Sequence, residues 1–269
     1  MIFPPFDQVE TWIFDLDNTL YPPHELLFRQ IEARISTYVQ RELGIGKPEA
    51  DSLRRRYWHD HGATLAGLMI HHKIDPDPFL DEVHSVDFSV LTPDPRLRAA
   101  IVALPGRKIV YTNGAETYAH NVLGALGLTG VFERVWSIEH AFYTPKPYAA
   151  AYTRIFGADG LDPARAAFFE DDPRNLEHPH GLGTVTVLVR PAPPPGAASR
   201  GGPGDPLGPA RSAADQPEGL AAAVAIAPPP LETPDHVDYV TPDLADFLGR
   251  LADPLAPPPA PAHQPQERT

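Results

Sequence analysis

Short apolar runs that end abruptly in polar residues recur along this chain. TWIFDLD, RKIVYTNG, ERVWSIE, AAFFEDD and TVTVLVR each carry three or four aliphatic or aromatic side chains. Runs of this length, with little polar alternation, suit strands buried on both faces, the situation of a parallel sheet covered by helices. Helical stretches follow several of them: in AHNVLGALGL, Ala119, Val122, Leu123 and Leu126 recur at helical spacing. The pattern predicts an α/β fold, a Rossmann-like parallel sheet with helices on both faces. In open sheets of this kind the ligand crevice lies beyond the carboxyl ends of the strands. The polar residues of this chain cluster at those ends.

The stretch from 22 to 94 breaks the alternation. HELLFRQIEARISTYVQRELGI carries Leu27, Ile31, Ile35, Tyr38 and Val39 at helical spacing, and PEADSLRRRYWHDHG, ATLAGLMIHHKI and PDPFLDEVHSV read as further helices. About 70 helical residues between the first two strands predict an inserted helical domain over the crevice, with a core domain made of 1–21, 95–190 and 235–252. Proline divides the remainder. Of 34 prolines, 19 follow Arg190, and the Pro-, Gly- and Ala-rich stretch 191–234 has too little apolar surface to offset its ordering entropy. It is expected to be a disordered insertion, and 253–269 a disordered tail. HVDYVTPDLADFLGRL, between them, reads as a strand and a helix with Leu244, Phe247, Leu248 and Leu251 on one face.

The net charge of −13 leaves no basic footprint for a nucleic acid polymer or an anionic membrane. A small anionic substrate remains compatible, because a local site can be positive on an acidic protein. No cysteine is present, so disulfides and thiolate metal sites are excluded. No run approaches the ~18 apolar residues of a membrane span, and the first residues lack the pattern of a secretory signal. The expectation is a cytoplasmic protein with no membrane partner.

Four polar clusters stand at strand ends: Asp15 and Asp17; Thr112 and Asn113; Lys146; and Glu170, Asp171 and Asp172. Each alone has an ordinary explanation, as a turn, a solvated lysine or a helix cap. Together they make one chemical proposal. Acids from the first strand and from AAFFEDD offer oxygen ligands for a hard cation such as Mg²⁺, which would also relieve the repulsion between them. Lys146, a hydroxyl and an amide supply donors for a phosphoryl group. Asp15 is placed to attack phosphorus, and Asp17 to exchange protons with the leaving oxygen and with water.

FDLDNTLY, YTNG, KP and FFEDDPRNL, in that order, resemble the four motifs of the haloacid dehalogenase superfamily, over most of 9–190 and again at 236–251. The resemblance implies an aspartyl-phosphate mechanism. Asp15 matches its nucleophile and Asp17 its general acid/base, whose backbone carbonyl also faces the metal. Thr112 matches the phosphate-binding hydroxyl with Asn113 beside it, and Lys146 the lysine that balances nucleophile and phosphoryl charge. Asp171 matches the principal metal carboxylate, so the implied metal set is Asp15, Asp17 and Asp171. Glu170 is a neighbouring acid, and Asn175 stands where many relatives have another one. The insertion 22–94 matches the helical cap.

Within the superfamily, the dehalogenases lack the second aspartate, which turns the expectation toward a Mg²⁺-dependent phosphomonoesterase. FDLDNTLYP, ATLAGLM and LPGRKIVYTNG resemble the pyrimidine 5′-nucleotidase-like subgroup, implying a nucleoside 5′-monophosphate as the small-molecule phosphate ester. Two alternatives stand: a sugar phosphomutase, and a non-catalytic binding protein whose Pro-rich segment recruits partners. His59, His61, His71 and His72 lack zinc-site spacing and are expected to be solvated or partly packed. Arg54–Arg56 read as a solvated face. Tyr21, Tyr57 and Trp58 read as core aromatics, with stacking on a nucleobase as the second option.

Overall fold

The computed structural model describes residues 5–23, 26–191, 233–253 and 257–263. Six strands form one parallel sheet: β1 (Thr11–Phe14), β2 (Arg107–Tyr111), β3 (Arg134–Trp136), β4 (Ala166–Glu170), β5 (Val185–Val189) and β6 (Tyr239–Thr241). Their order is β3-β2-β1-β4-β5-β6. The chain therefore works outward on one side of β1, then returns to lay β4 to β6 on the other. That reversal is the topological switch point, and it falls between β1 and β4, where open α/β sheets leave a crevice.

Side chains along each strand point to alternate faces, and both faces are buried. Trp12, Phe14, Val110, Phe169, Val187 and Val189 belong to one apolar cluster; Ile13, Ile109, Tyr111, Phe168 and Leu188 belong to the other. The first face is covered by α5 (Pro95–Ala103), α6 (Glu116–Ala125) and α9 (Leu244–Ala252); the second by α7 (Ala149–Asp159) and α8 (Arg174–Gly181). Aspartate caps mark several starts. Asp94 accepts from Arg96 N ahead of α5, with Pro95 at the first helical position, and Asp243 accepts from Asp246 N ahead of α9.

Among the described residues, four α-helices lie between β1 and α5, in the stretch 22–94 that reads as helical in the sequence: α1 (Leu27–Leu43), α2 (Lys47–His61), α3 (Thr64–His72) and α4 (Pro76–Val83). Leu27, Ile31, Tyr38 and Val39 of α1 face Leu65, Leu68, Phe79, Leu80 and Val83 in an apolar cluster continuous with the first face of the sheet. Gly67 of α3 lets Tyr57 of α2 pack close; a Cβ there would lie 2.2 Å from the tyrosine ring. No helix among the described residues is long and apolar enough to cross a membrane.

Residues 192–232, most of the Pro-rich stretch, lie outside the described residues, so the reading of that segment as disordered does too. Part of the stretch expected to be a disordered tail is placed on the fold. Ala262 N donates to Asp238 O at 2.7 Å, and Pro259 is buried.

Candidate active site

Register brings the strand ends level. Phe14 pairs with Val110 on one side and Phe169 on the other, so the next residues, Asp15, Tyr111 and Glu170, stand side by side at the carboxyl edge. Asp15 N continues the ladder to Phe169 O at 2.9 Å. Leu16 turns into the packed interior, fully buried, and Asp17 lies beyond it.

Lys146 arrives from the loop before α7 and is 1 % exposed. Its Nζ donates to Asp15 Oδ1 at 2.7 Å, to Glu170 Oε1 at 2.8 Å and to Tyr111 O at 2.9 Å. An ammonium has three N–H donors, and all three are used. A phosphoryl oxygen would reach this lysine only by replacing one of these partners, so its direct task is to hold Asp15. Burial alone would lower the lysine's pKa, but Asp15 and Glu170 outweigh burial and keep the ammonium charged.

Asn113 is turned to the backbone of that lysine. Its Oδ1 accepts from Lys146 N at 2.8 Å and its Nδ2 donates to Lys146 O at 3.1 Å. The amide expected to bind phosphate is thus occupied in clamping the Lys146 loop. Thr112 is buried at the end of β2, where its Oγ1 accepts from Gly114 N at 2.9 Å. That bond leaves the hydroxyl proton available to an incoming oxygen.

Carboxylate oxygens of Asp15, Glu170 and Asp171 lie within 4.8 Å of one another. Glu170, read from the sequence as a neighbouring acid, is thus the third side chain of the cluster. The Asp17 carboxylate instead accepts from two tyrosine hydroxyls, Tyr21 and Tyr118, which leaves its main-chain carbonyl as its candidate ligand. Glu170 is braced on several sides: besides Lys146, Asn175 Nδ2 donates to its Oε1 at 2.6 Å and Asp172 N to its Oε2 at 2.8 Å. Asn175 is thus a donor to the acid cluster, a role that an acid at this position could not fill.

Burial pushes the Asp15 carboxyl up to about 8, with Lys146 pulling against it and Glu170 and Asp17 adding to it. Burial raises Asp171 well above the usual range, and Glu170 and Asp15 reinforce this. Burial also raises Asp17, opposed by the two tyrosine hydroxyls. The physical cause is an excess of negative charge out of water. One ammonium and one divalent ion together would balance the three clustered carboxylates. The all-oxygen donor set suits a hard cation, so the residues fit the implied Mg²⁺.

The inserted helices reach this site at the end of α2. Gly62, with φ +75°, sits so close to the Lys146–Pro147 peptide that a Cβ would lie 2.6 Å from Lys146 O. Tyr148 Oη donates to Asp60 O at 3.3 Å, and the Arg174 guanidinium lies 3.8 Å from the centre of the Trp58 ring. The aromatic residues weighed for base stacking are all engaged within the protein: Tyr57 is buried against α3, Trp58 lies on Arg174 and Tyr21 on Asp17. In the basic run, Arg54 donates to Glu32 at 2.7 Å. Of the cap histidines, His61 and His71 meet Nε2 to Nε2 at 3.0 Å and His72 meets the Tyr57 hydroxyl.

Tyr118 and the Asn113 clamp were missed by sequence reasoning, which read Glu170 as a neighbouring acid. Glu170 had a signal, its place in the EDD run; Tyr118 had none.

The sequence model of the haloacid dehalogenase-like hydrolases matches residues 9–177. Phosphate metabolism protein 8 of Saccharomyces cerevisiae is 25% identical over 197 residues, 66% of this chain and 61% of that protein. The chain thus spans less than two thirds of the length of that curated relative. Among solved structures, a HAD phosphatase from Thermococcus onnurineus matches with a TM-score of 0.49 and 16% identity, over 88% of this chain and 95% of that one. L-2-haloacid dehalogenase from Xanthobacter autotrophicus matches with a TM-score of 0.43 and 19% identity, over 67% of this chain and 77% of that one.

Proposed function

The chain belongs to the haloacid dehalogenase-like hydrolases, and from that premise we propose that it is a Mg²⁺-dependent phosphomonoesterase with Asp15 as nucleophile and Asp17 as general acid/base. The observation that carries this reading is the second carboxyl. Asp17 is half-buried next to Asp15 and is held by two hydroxyl donors. A phosphate ester needs a proton for its leaving oxygen, whereas a halide leaves without one. In a dehalogenase that carboxyl would have no proton to transfer.

In this reading Lys146 fixes Asp15 Oδ1 and balances its charge, leaving Oδ2 to attack phosphorus. The new Asp15–phosphorus bond forms as the bond to the leaving oxygen breaks, and Asp17 gives its proton to that oxygen. Water then attacks the aspartyl-phosphate while Asp17 takes a proton from it. The Asp15–phosphorus bond breaks and inorganic phosphate leaves. Thr112 donates its hydroxyl to a phosphoryl oxygen. Asp15, Asp171 and Glu170 would hold the cation, with the Asp17 carbonyl as a further ligand; when bound, the cation offsets the charge of the phosphoryl oxygens. Residues 22–94 serve as the cap, with the end of α2 closing over the Lys146 loop and excluding water.

For the substrate we favour a nucleoside 5′-monophosphate, on the resemblance of FDLDNTLYP, ATLAGLM and LPGRKIVYTNG to the pyrimidine 5′-nucleotidase-like subgroup. The name of the yeast relative, which speaks of phosphate metabolism, is compatible with this class. Hydrolysis of a panel of phosphate monoesters with Mg²⁺, by wild type and by Asp15→Asn, tests the reading. The variant is expected to stay folded and to lose at least about a thousand-fold in kcat. Near-wild-type turnover by Asp15→Asn would refute the nucleophile assignment. Transfer to a sugar hydroxyl in preference to water would favour a phosphomutase.

A further inference from the structure

Two tyrosines from distant parts of the chain meet at one oxygen. Tyr21 Oη and Tyr118 Oη each donate to Asp17 Oδ1 at 2.5 Å, and the two phenol oxygens are 3.4 Å apart. Both rings are buried. Among the described residues no hydrogen bond is made to Asp17 Oδ2. Tyr21 follows β1 by one turn of chain, and Tyr118 stands in the first turns of α6. The Tyr118 ring is in turn stacked on His84, 4.3 Å between centroids at 17°, with Phe88 tilted against it at 6.0 Å. His84 and Phe88 both belong to the segment that follows α4.

The two oxygens of Asp17 are therefore unequal. A proton placed on Oδ1 would have to displace one of two hydrogen bonds already made there, whereas Oδ2 carries none. Displacing a hydrogen bond already made is unfavourable, so the proton belongs on Oδ2. We propose that Tyr21 and Tyr118 are positioning residues that occupy Oδ1 of Asp17 and so reserve Oδ2 for proton exchange with the leaving group, with His84 bracing Tyr118 from the inserted helices. The proposal rests on the phosphomonoesterase reading above. Its chemistry balances within that reading: Oδ2 gives its proton as the ester oxygen takes the bonding pair from phosphorus, then recovers a proton from the attacking water.

A positioned acid matters only where the leaving group needs it. Nitrophenolate leaves readily without a proton; an alkoxide does not. The full chain with Mg²⁺ is assayed on p-nitrophenyl phosphate. It is also assayed on whichever of UMP, ribose 5-phosphate and glycerol 3-phosphate the wild type turns over fastest. Tyr21→Phe and Tyr118→Phe keep the rings and remove only the hydroxyls. Each is expected to lose about ten-fold or more in kcat on the alkyl ester, since general acid catalysis is worth about 10²–10⁴-fold. The loss on p-nitrophenyl phosphate should stay under about three-fold, with KM little changed on either ester. His84→Ala should show a weaker form of the same selectivity, and His84→Phe, which restores a planar ring, should recover it. Equal losses on both esters, or none on either, would overturn the positioning role while leaving the phosphatase intact. If His84→Phe fails to recover the loss, His84 has no part in it. A wild type inactive on both classes of ester would instead overturn the phosphomonoesterase reading, and this proposal with it.

Discussion

Lys146 and Asn175 show how single side chains hold a cluster of acids together. Replacing Lys146 by Met keeps the length of the side chain but leaves Asp15 and Glu170 buried without their shared cation. Removing one partner of a buried ion pair costs about 3–5 kcal/mol. The variant is expected to melt far below wild type at pH 7 and to lose turnover. Because Lys146 pulls the Asp15 carboxyl down, its loss raises that carboxyl further, so Asp15 is already protonated at pH 7 and the deficit should persist at pH 5; thermal melts at both values check this. Asn175→Asp exchanges the 2.6 Å donor on Glu170 for a carboxylate. Without divalent cation it should lose about 1.5–3 kcal/mol near neutral pH, and added Mg²⁺ should recover part of that loss. An Mg²⁺-independent deficit would mean that the new acid does not join the cluster. At this scale the sequence marked Asp15, Asp17, Thr112, Lys146 and Asp171 as candidates because their types suit phosphoryl transfer; Lys146 excepted, which comes from the loop before α7, each lies just past the end of a strand. Asn113 was read as standing beside the phosphate-binding hydroxyl; an amide in a turn can face either a ligand or the main chain, and here it holds the Lys146 backbone.

Among the elements, α2 makes the contacts that matter most to the site. Its end reaches the core through Gly62 against the Lys146 carbonyl and Trp58 on Arg174, both outside any motif. Gly62→Ala meets two obstacles, a positive φ and a carbonyl oxygen 2.6 Å from the new Cβ. A non-glycine residue in that backbone region costs about 1–3 kcal/mol. The shift needed to relieve the contact would move either α2 or the Lys146 loop. A lowered melting temperature together with a lowered kcat is expected. A variant that melts lower with kcat unchanged would show that the loop tolerates the displacement. The helices themselves were legible, because the apolar spacing of α1 and the Asp-Pro starts of α4 and α5 are local signals. The surface of the core that α2 meets was not, since no periodicity encodes which loop a helix end will touch.

For the molecule as a whole, the buried acids tie stability to pH and cation. The Asp15 carboxyl stands at about 8 when folded, against an ordinary value of 3.8. Between those values the folded state holds a proton that the unfolded state has released, so stability falls as pH rises across that window. Asp17 and Asp171 shift in the same direction. Lys146 stays protonated throughout and adds no slope. A divalent cation competes with those protons, so its stabilisation should grow from pH 5 to pH 8, reaching about 2.7 kcal/mol at a hundred times its Kd. Melting curves with Mg²⁺ and with a chelator at the two pH values measure it. Asp15→Asn should flatten the chelator curve, and an unchanged slope would place the titrating group elsewhere.

The sequence by itself determined the class of fold and the candidates for the chemistry-bearing residues. Strand runs, helix periodicity and strand-end polarity are local properties, and local properties survive being read one residue at a time. Only the tertiary structure decided the strand order that puts β1 beside β4 at the switch point. The same is true of Glu170 joining the Asp15 and Asp171 carboxylates, the saturation of Lys146, and the pairing of Tyr21 with Tyr118 across 97 positions. Those follow from which surfaces meet when both faces of the sheet are buried, and no single stretch of chain carries that information.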